Sequence, residues 1–239
     1  MRRDTKDALF TKLLSVPLRL HLQPTFVQSD DDLTGQPVWD DIVIYVEPPN
    51  APGLKQVISK LRRRVRAAAP HEKIEHGHTQ LNGNGLRVGR KTQSTSSDIR
   101  LDDDKFPQFM AEACYRLIVT DRLTPIGYCT FCIQISHWQE VEVDLDEVWL
   151  ARDYRGKGIG QVMAEKVADI TIFTLEELDA RVRENSRRKL DIEVLVGGDV
   201  YSRSGESFVR CACDALEAGS DVIDWHALRF TRFSWDARW

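Results

Sequence analysis

One segment constrains the fold of this chain most: a strand-like run that leads through a glycine-rich turn into a helical pattern. Residues 141–151 are rich in β-branched and aromatic side chains, as a strand is, and apolar residues recur with helical spacing over residues 158–173. The motif Arg155-x-x-Gly158-x-Gly160 stands at this junction. Glycine there permits a sharp turn and leaves room for a ligand beside the main chain. The first amides of a helix are unpaired donors at the positive end of its dipole, so this segment could bind a pyrophosphate.

Two common phosphate-binding loops do not fit this junction. A Walker A loop has Ser or Thr after Gly-Lys, whereas Gly156-Lys157 is followed by Gly158. A dinucleotide-binding Gly-x-Gly-x-x-Gly loop that started at Gly156 would place its last glycine at Gln161. An ordinary glycine-rich turn before a helix stays open as the simpler interpretation.

The elements around this junction predict an α/β domain. Residues 41–47 have the pattern of a buried strand that stops at prolines, and a helical pattern follows over residues 54–65. Residues 71–104 are rich in Gly, Asn, Ser and Thr, which predicts a loop or an insertion. The elements predicted beyond it are strands at 116–121, 127–136 and 141–151, a helix at 158–173 that breaks at Thr174 or continues to Arg187, a strand at 192–196, a turn at Gly197 and Gly198, a helix at 204–218 and a strand at 222–233.

The segment from Val148 to Gly160, VWLARDYRGKGIG, closely resembles motif A of the GNAT superfamily of N-acetyltransferases. In that family, a strand ending in Leu-x-Val leads through Arg-Gly-x-Gly-Ile-Gly into a helix. Here Leu150 stands where Val is common, and Arg152 replaces a frequent Pro. The order of elements over residues 116–196 also agrees. The resemblance implies an α/β fold with a mixed, mostly antiparallel central sheet flanked by helices, and a V-shaped splay between the fourth and fifth strands.

The resemblance also implies the co-substrate and the reaction. Acetyl-CoA would give its acetyl group to a primary amine of a small molecule or a protein, by direct attack of the amine on the thioester. The main chain of Val148 and Leu150, on either side of Trp149, would pair with pantetheine. The pyrophosphate would be held by the loop residues Arg155, Gly156, Lys157, Gly158, Ile159 and Gly160.

Acidic residues before the loop are candidates for the catalytic base. An amine with the pKa of free lysine is neutral in about one of 2,500 molecules at pH 7, so a group that removes its proton matters. Asp144 and Asp146 stand where the family often places a catalytic Glu or His, and the period of two puts both on one face. Glu147 would face the other way unless a bulge intervenes, and Glu142 lies farther out. The alternative is that these acids form the solvated face of a hairpin.

The acid that protonates the departing thiolate has two candidates. Family members often have an Asn after the fifth strand and a Tyr about two turns along the next helix. Aligning Ser204 with that Asn places Cys211 near the Tyr position, which is a departure from the family. Tyr201, just before this helix, is the second candidate, although a Tyr in a loop is often a packing residue.

The cysteines predict free thiols and a cytoplasmic location. Five cysteines are an odd number in a chain of 239 residues, which is long enough to bury a core without disulfides. Cys129-x-x-Cys132 lies in a predicted strand where the two side chains point to opposite faces, and no second pair stands at metal spacing, so we expect no metal. Charged residues interrupt the apolar residues near Met1, and no apolar run is long enough for a bilayer, so we expect neither a signal peptide nor a membrane partner.

The charge distribution leaves a second class of function open. The net charge is −4, but residues 55–91 carry ten Lys or Arg against two acidic residues. This basic segment could bind nucleic acid through phosphates, or it could be solvated surface. The alternative function is therefore a non-catalytic protein of the same fold, or a nucleic-acid-binding module, whose CoA pocket is vestigial or regulatory. The predicted organisation is an N-terminal extension at residues 1–40 and a GNAT-like domain at 41–239, with the insertion at 71–104.

Overall fold

The computed structural model describes residues 12–18, 36–39, 41–47, 109–122, 124–136 and 138–239, together with seven helical residues between 56 and 67. The predicted insertion at residues 71–104 and most of the basic segment lie outside the described residues. In the described part of the chain, no helix combines the length and the apolar character that a membrane crossing requires.

Seven strands and two long helices make up the described fold. The strands are β1 (Gln36–Trp39), β2 (Ile42–Glu47), β3 (Phe109–Asp121), β4 (Thr124–Ser136), β5 (Glu140–Leu150), β6 (Leu190–Asp199) and β7 (Leu228–Arg238). The helices are α1 (Ile159–Asn185), between β5 and β6, and α2 (Arg203–Asp221), between β6 and β7. The strands lie side by side in chain order, antiparallel from β1 to β5 and parallel from β5 to β7. The predicted mixed, mostly antiparallel sheet flanked by helices is confirmed.

The alternating sequence of β5 determines which of its side chains enter the core. Val141, Val143 and Leu145 are buried, whereas Glu142 and Asp144 between them are only partly covered. Side chains of a strand point alternately to the two faces of its sheet, so the apolar set packs on one face. The main core on that face joins the strands to the buried stripes of α1 and α2, which include Met163, Val167, Ile170, Leu178, Phe208, Val209, Ala212 and Leu216.

The opposite face carries a smaller apolar cluster. Val43, Tyr45, Ile118 and Tyr128 on β2, β3 and β4 pack there with the buried helical residue Leu61. This cluster covers the β2–β4 side of the face. Glu142 and Asp144 of β5 lie on this same face, beside the part that the described cluster covers, and we call it the open face of the sheet.

The N-terminal region contributes to this fold. Leu13 is buried in the main core, and β1 pairs with β2 in the sheet. Arg181 of α1 holds residues 12–18 in place, because its guanidinium donates to the carbonyl oxygens of Leu13 (3.1 Å), Val16 (2.7 Å) and Pro17 (2.6 Å). Part of the region predicted as an N-terminal extension thus belongs to the sheet and the core.

Some element boundaries differ from the sequence predictions. Of the two predicted courses of α1, continuation through Thr174 is confirmed, and the helix ends at Asn185 rather than at Arg187. The hydroxyls of Thr171 and Thr174 are buried and donate to carbonyls one turn earlier, at 2.9 and 3.1 Å. The predicted turn at Gly197 and Gly198 is wrong, since both residues lie inside β6. The last strand begins at Leu228 rather than at residue 222.

The expectation that all five cysteines are free is wrong for two of them. Cys114 on β3 and Cys132 on β4 are direct cross-strand partners, 4.0 Å apart at Cα, and they form a disulfide. The expectation depended on spacing along the chain, whereas this pair depends on the register of two strands. Cys129, Cys211 and Cys213 are free thiols, and Cys129 is buried in the main core, on the face opposite to Cys132.

Candidate active site

The site lies where β5 and β6 stop pairing. Their parallel ladder ends at the pair Leu145 and Gly198, and β5 continues to Leu150 while it stays paired with β4. A Cβ atom on Gly198 would lie 2.8 Å from the carbonyl oxygen of Leu145, so a glycine is needed at this close approach. The end of the ladder is compatible with a splay between these strands, but the V shape itself stays a prediction.

Beyond this point, every second residue of β5 directs its main-chain N–H and C=O away from β4. The N–H of Ala151 donates to the carbonyl of Ile126 at 2.9 Å. Because such groups alternate along an antiparallel strand, the N–H and C=O of Val148 and Leu150 are directed to the opposite side, where β6 paired earlier. The side chain of Trp149, between them, packs with the apolar cluster on the open face. The backbone is thus arranged as a partner for an extended ligand.

The glycine loop leads directly into α1. Gly156 and Gly158 have φ values of 73° and 79°, a left-handed conformation that favours glycine. Gly158 is the N-cap residue of α1, and no side chain accepts a capping hydrogen bond there. The first turn of α1 contains no acidic residue. The backbone N–H groups at the start of α1 therefore have no capping side chain at Gly158 and no carboxylate in the first turn. This arrangement favours the binding of an anion.

Gly160 has a different significance. Its φ is not in the left-handed region, and a Cβ built on it would meet no protein atom within 4 Å. Neither backbone conformation nor packing in the described structure requires glycine there. An open space beside the first helical amides is what a bound phosphate group would need.

A cavity of about 310 Å³ adjoins this loop, between the first turn of α1 and the first half of α2. Its lining residues are Gly160, Gln161, Arg203, Ser204, Ser207, Phe208 and Cys211. The structure thus brings Cys211 and the glycine loop, about fifty positions apart in the chain, to one cavity. Tyr201 is 44% exposed and is not among the lining residues.

The two basic side chains of the loop have protein contacts. Arg155 donates from Nε to the carbonyl oxygen of Leu150 at 2.8 Å, so it connects the loop to the end of β5. The Nζ of Lys157 lies 5.4 Å from the centre of the Tyr154 ring, and the hydroxyl of Tyr154 donates to Asp121. Both residues are exposed, and their positive charges lie beside the glycines.

A bulge at Asp146 interrupts the period of two that was expected to put the candidate bases Asp144 and Asp146 on one face of β5. Thr130 of β4 pairs with Glu147, whereas the next residue, Phe131, pairs with Leu145. Asp146 is therefore the extra residue, and its carboxylate accepts a hydrogen bond from the Thr130 hydroxyl at 3.2 Å. From the sequence, Glu147 was expected to point away from Asp144 and Asp146 unless a bulge intervened. The bulge is present, and Glu147 pairs with Thr130.

Arg238, near the end of β7, is a residue of the site that the sequence did not indicate. Its guanidinium contacts Asp144 (Nη2 to Oδ1, 3.2 Å) on β5 and Asp199 (Nε to Oδ1, 3.0 Å) on β6. Its Nη1 also lies 3.9 Å from Glu142. Burial, and then the neighbouring Asp144, raise the pKa of Glu142 despite the opposing effect of Arg238. The contacts join residues far apart in the chain, so no local pattern could reveal them.

Residues 88–186 match the family model described as the acetyltransferase (GNAT) family. This part of the chain is similar to the GNAT family. The match covers less than half of the chain, but it includes β3, β4, β5, the glycine loop and all of α1. The resemblance to the GNAT superfamily is thereby confirmed, and the fold agrees with it. GNAT domains in general indicate acyl- or acetyltransferase activity. In the comparison with curated proteins, nothing matches significantly.

Proposed function

We propose that this GNAT protein is an acetyl-CoA-dependent N-acetyltransferase that acetylates a primary amine. The observation that carries the proposal is the uncapped start of α1, with its left-handed glycines. This start of the helix lines the cavity, and the loop before it is bonded to Leu150, in the part of β5 that β6 leaves unpaired. In acetyl-CoA, the pyrophosphate would lie at the start of α1 and the pantetheine chain along the unpaired part of β5. The thioester would follow at the end of that chain.

The loop would bind the pyrophosphate mainly through its main chain. The amides of the first turn of α1 point at the ligand, and the positive end of the helix dipole favours its negative charge. Lys157 adds a positive charge at the surface. Arg155 also contributes charge, but its bond to the Leu150 carbonyl suggests that it holds the loop against the strand as well.

The strand would bind pantetheine as an added partner. The main-chain groups of Val148 and Leu150 face the side that β6 leaves open beyond the pair Leu145 and Gly198. Hydrogen bonds to this edge resemble those of a sheet, so they fix the ligand along β5 without a charged side chain. The thioester would then lie toward the point where the ladder ends.

A carboxylate on the open face would remove the proton of the acceptor amine. Asp144 is one residue from the last β5–β6 pair, and Asp146 follows at the bulge. The amine nitrogen attacks the carbonyl carbon, the carbon–sulfur bond then breaks, and the leaving thiolate takes a proton. Cys211 lines the cavity and is the preferred donor of that proton over the exposed Tyr201.

Calorimetric titration with acetyl-CoA tests the proposed binding site. Gly158→Glu places bulk and negative charge at the N-cap, and we expect it to abolish the heat of binding. Gly158→Ala is the matched control, because it introduces the same left-handed strain without the charge. A folded Gly158→Glu protein that binds acetyl-CoA as tightly as the wild type would contradict the assignment.

The second candidate function, a non-catalytic or nucleic-acid-binding protein, has less support. The basic segment that motivates it lies mostly outside the described residues; of its described members, Lys60 and Arg63 are exposed residues of a helix. Binding of acetyl-CoA without transfer to any amine would favour this alternative. The cytoplasmic location is part of the main proposal; the three free cysteines favour it, whereas the Cys114–Cys132 disulfide does not.

A further inference from the structure

The open face of the sheet carries two sulfur atoms and a carboxylate within a small volume. Cys114 and Cys132 are cross-strand partners, and Glu112 precedes Cys114 by two residues, so it lies on the same face. One carboxylate oxygen and the two Sγ atoms all lie within 4.8 Å of one another. Both cysteines are half-buried and Glu112 is exposed, so solvent reaches the cluster.

We propose that Cys114, Cys132 and Glu112 form a binding site for a soft divalent metal ion, of the zinc class, when the disulfide is reduced. Two thiolates and one carboxylate are ligands that Zn²⁺ takes, and three protein ligands leave a fourth position for water. Two thiolates on one tetrahedral zinc lie about 3.8 Å apart, at Zn–S distances of about 2.3 Å. The Cα atoms of Cys114 and Cys132 are 4.0 Å apart, so rotation of the two reduced side chains can bring their Sγ atoms to that distance.

A neighbouring amide orients the carboxylate for this role. Gln134 is the cross-strand partner of Glu112, and its Nε2 donates to Oε1 of Glu112 at 2.8 Å. Hydrogen bonds of this kind fix the orientation of a ligating carboxylate. The contact also keeps the Glu112 side chain lying across the strands rather than extending into solvent.

Reduction and metal binding are two balanced steps. A dithiol or phosphine reductant supplies two electrons, which break the S–S bond, and two protons from water or from the reductant give two thiols. The metal ion then replaces both thiol protons, which are released, and the carboxylate completes the protein ligands. The disulfide and the metal site use the same sulfur atoms, so they exclude each other.

The remaining cysteines are poor competitors for the metal. Burial raises the pKa of Cys129, and it raises that of Cys213 to about 11, so neither readily gives the thiolate that a metal needs. Cys211 is half-buried on α2, which packs against the face of the sheet opposite to Cys114 and Cys132. Cys132 of the cluster is the cross-strand partner of Asp144, on the neighbouring strand β5. The metal-binding proposal does not depend on a catalytic role of Asp144.

Cadmium titration of the full chain tests the proposal, because cadmium–thiolate bonds absorb in the ultraviolet. The protein is reduced with a phosphine, which is then removed without air. We expect one equivalent of Cd²⁺ to give the absorption of two thiolate bonds, and Zn²⁺ to displace it. Protein with the disulfide intact should show no band. Glu112→Gln should weaken the affinity by at least roughly tenfold.

Two variants and a labelling experiment assign the band. Cys211→Ser is the matched control and should keep the full absorption, whereas Cys114→Ser should lose it. If Cys114→Ser does not fold, alkylation of the reduced wild type with and without Zn²⁺ decides, because the metal should protect Cys114 and Cys132 specifically. No band in the reduced wild type, a band that Cys211→Ser abolishes, or equal alkylation with and without Zn²⁺ would overturn the proposal.

Discussion

Gly160→Ala should stabilise the fold and weaken acetyl-CoA binding at the same time. Gly160 is the second residue of α1, and an added Cβ would meet no protein atom within 4 Å. Ala is the better helix former by roughly 0.5 to 1 kcal/mol, and the first turn should give about the lower value. For a protein of this size, that corresponds to a rise in melting temperature of about 1 to 2 °C.

The binding effect has the opposite sign because the same space would hold the pyrophosphate. A methyl group there would disrupt at least one hydrogen bond from a helix amide to a charged oxygen, worth about 1.5 to 3 kcal/mol. The dissociation constant for acetyl-CoA should therefore rise by about ten- to 150-fold. Thermal unfolding of the free protein and calorimetric titration measure the two effects separately.

Gly205→Ala is the matched control for this experiment. Gly205 lies in the first turn of α2, does not line the cavity, and its added Cβ would make ordinary contacts with Val200 at 3.4 and 3.5 Å. It should leave acetyl-CoA binding unchanged. If Gly160→Ala binds acetyl-CoA like the wild type and the control, the phosphate does not occupy this space and the reasoning is refuted.

Three further sets of variants test the base, the core and the open face. Asp144→Asn or Asp146→Asn should lower turnover by roughly 10² to 10⁴ with acetyl-CoA affinity nearly intact, and full activity of both variants would place the base elsewhere. Asp179→Ala should cost roughly 3 kcal/mol or more in urea unfolding, since its buried carboxylate accepts from three backbone N–H groups at 2.8, 2.8 and 3.3 Å; Asp179→Asn should cost less. Glu142→Gln should raise the free energy of unfolding at neutral pH, because folding raises the pKa of Glu142 and its ionised carboxylate therefore destabilises the folded protein. The gain should disappear below pH 4.5, the ordinary pKa, where the carboxyl is protonated in both states. A gain that persists at that pH would contradict this explanation.

The parts of the fold that sequence could predict are those set by local patterns. The alternation of Val141, Val143 and Leu145 defines β5, and the glycine loop defines the start of α1, so the junction was predicted within a residue or two. Helix α2 was predicted for the same reason, and Ser202 caps it by accepting from the N–H of Gly205 at 3.1 Å. Period and capping require no knowledge of the rest of the chain.

The features that sequence did not predict depend on contacts between distant residues. Gly198 looked like a turn residue, but it is a glycine because the backbone of Leu145 approaches it closely. The Cys114–Cys132 disulfide requires the register of β3 and β4, and the contact of Arg238 with Asp144 joins positions 94 residues apart. A single sequence contains the residues of such pairs but no signal that they meet.

Mass spectrometry of amines incubated with the protein and acetyl-CoA tests the central claim most directly. The panel should include a polyamine, lysine-bearing peptides and free amino acids, with the unreactive Gly158→Glu protein as the blank. The account predicts an acetylated amine that forms only with wild-type protein and in equal amount to the free CoA released. A wild-type protein that binds acetyl-CoA in calorimetry but acetylates no amine of the panel, at any pH where it stays folded, would contradict it.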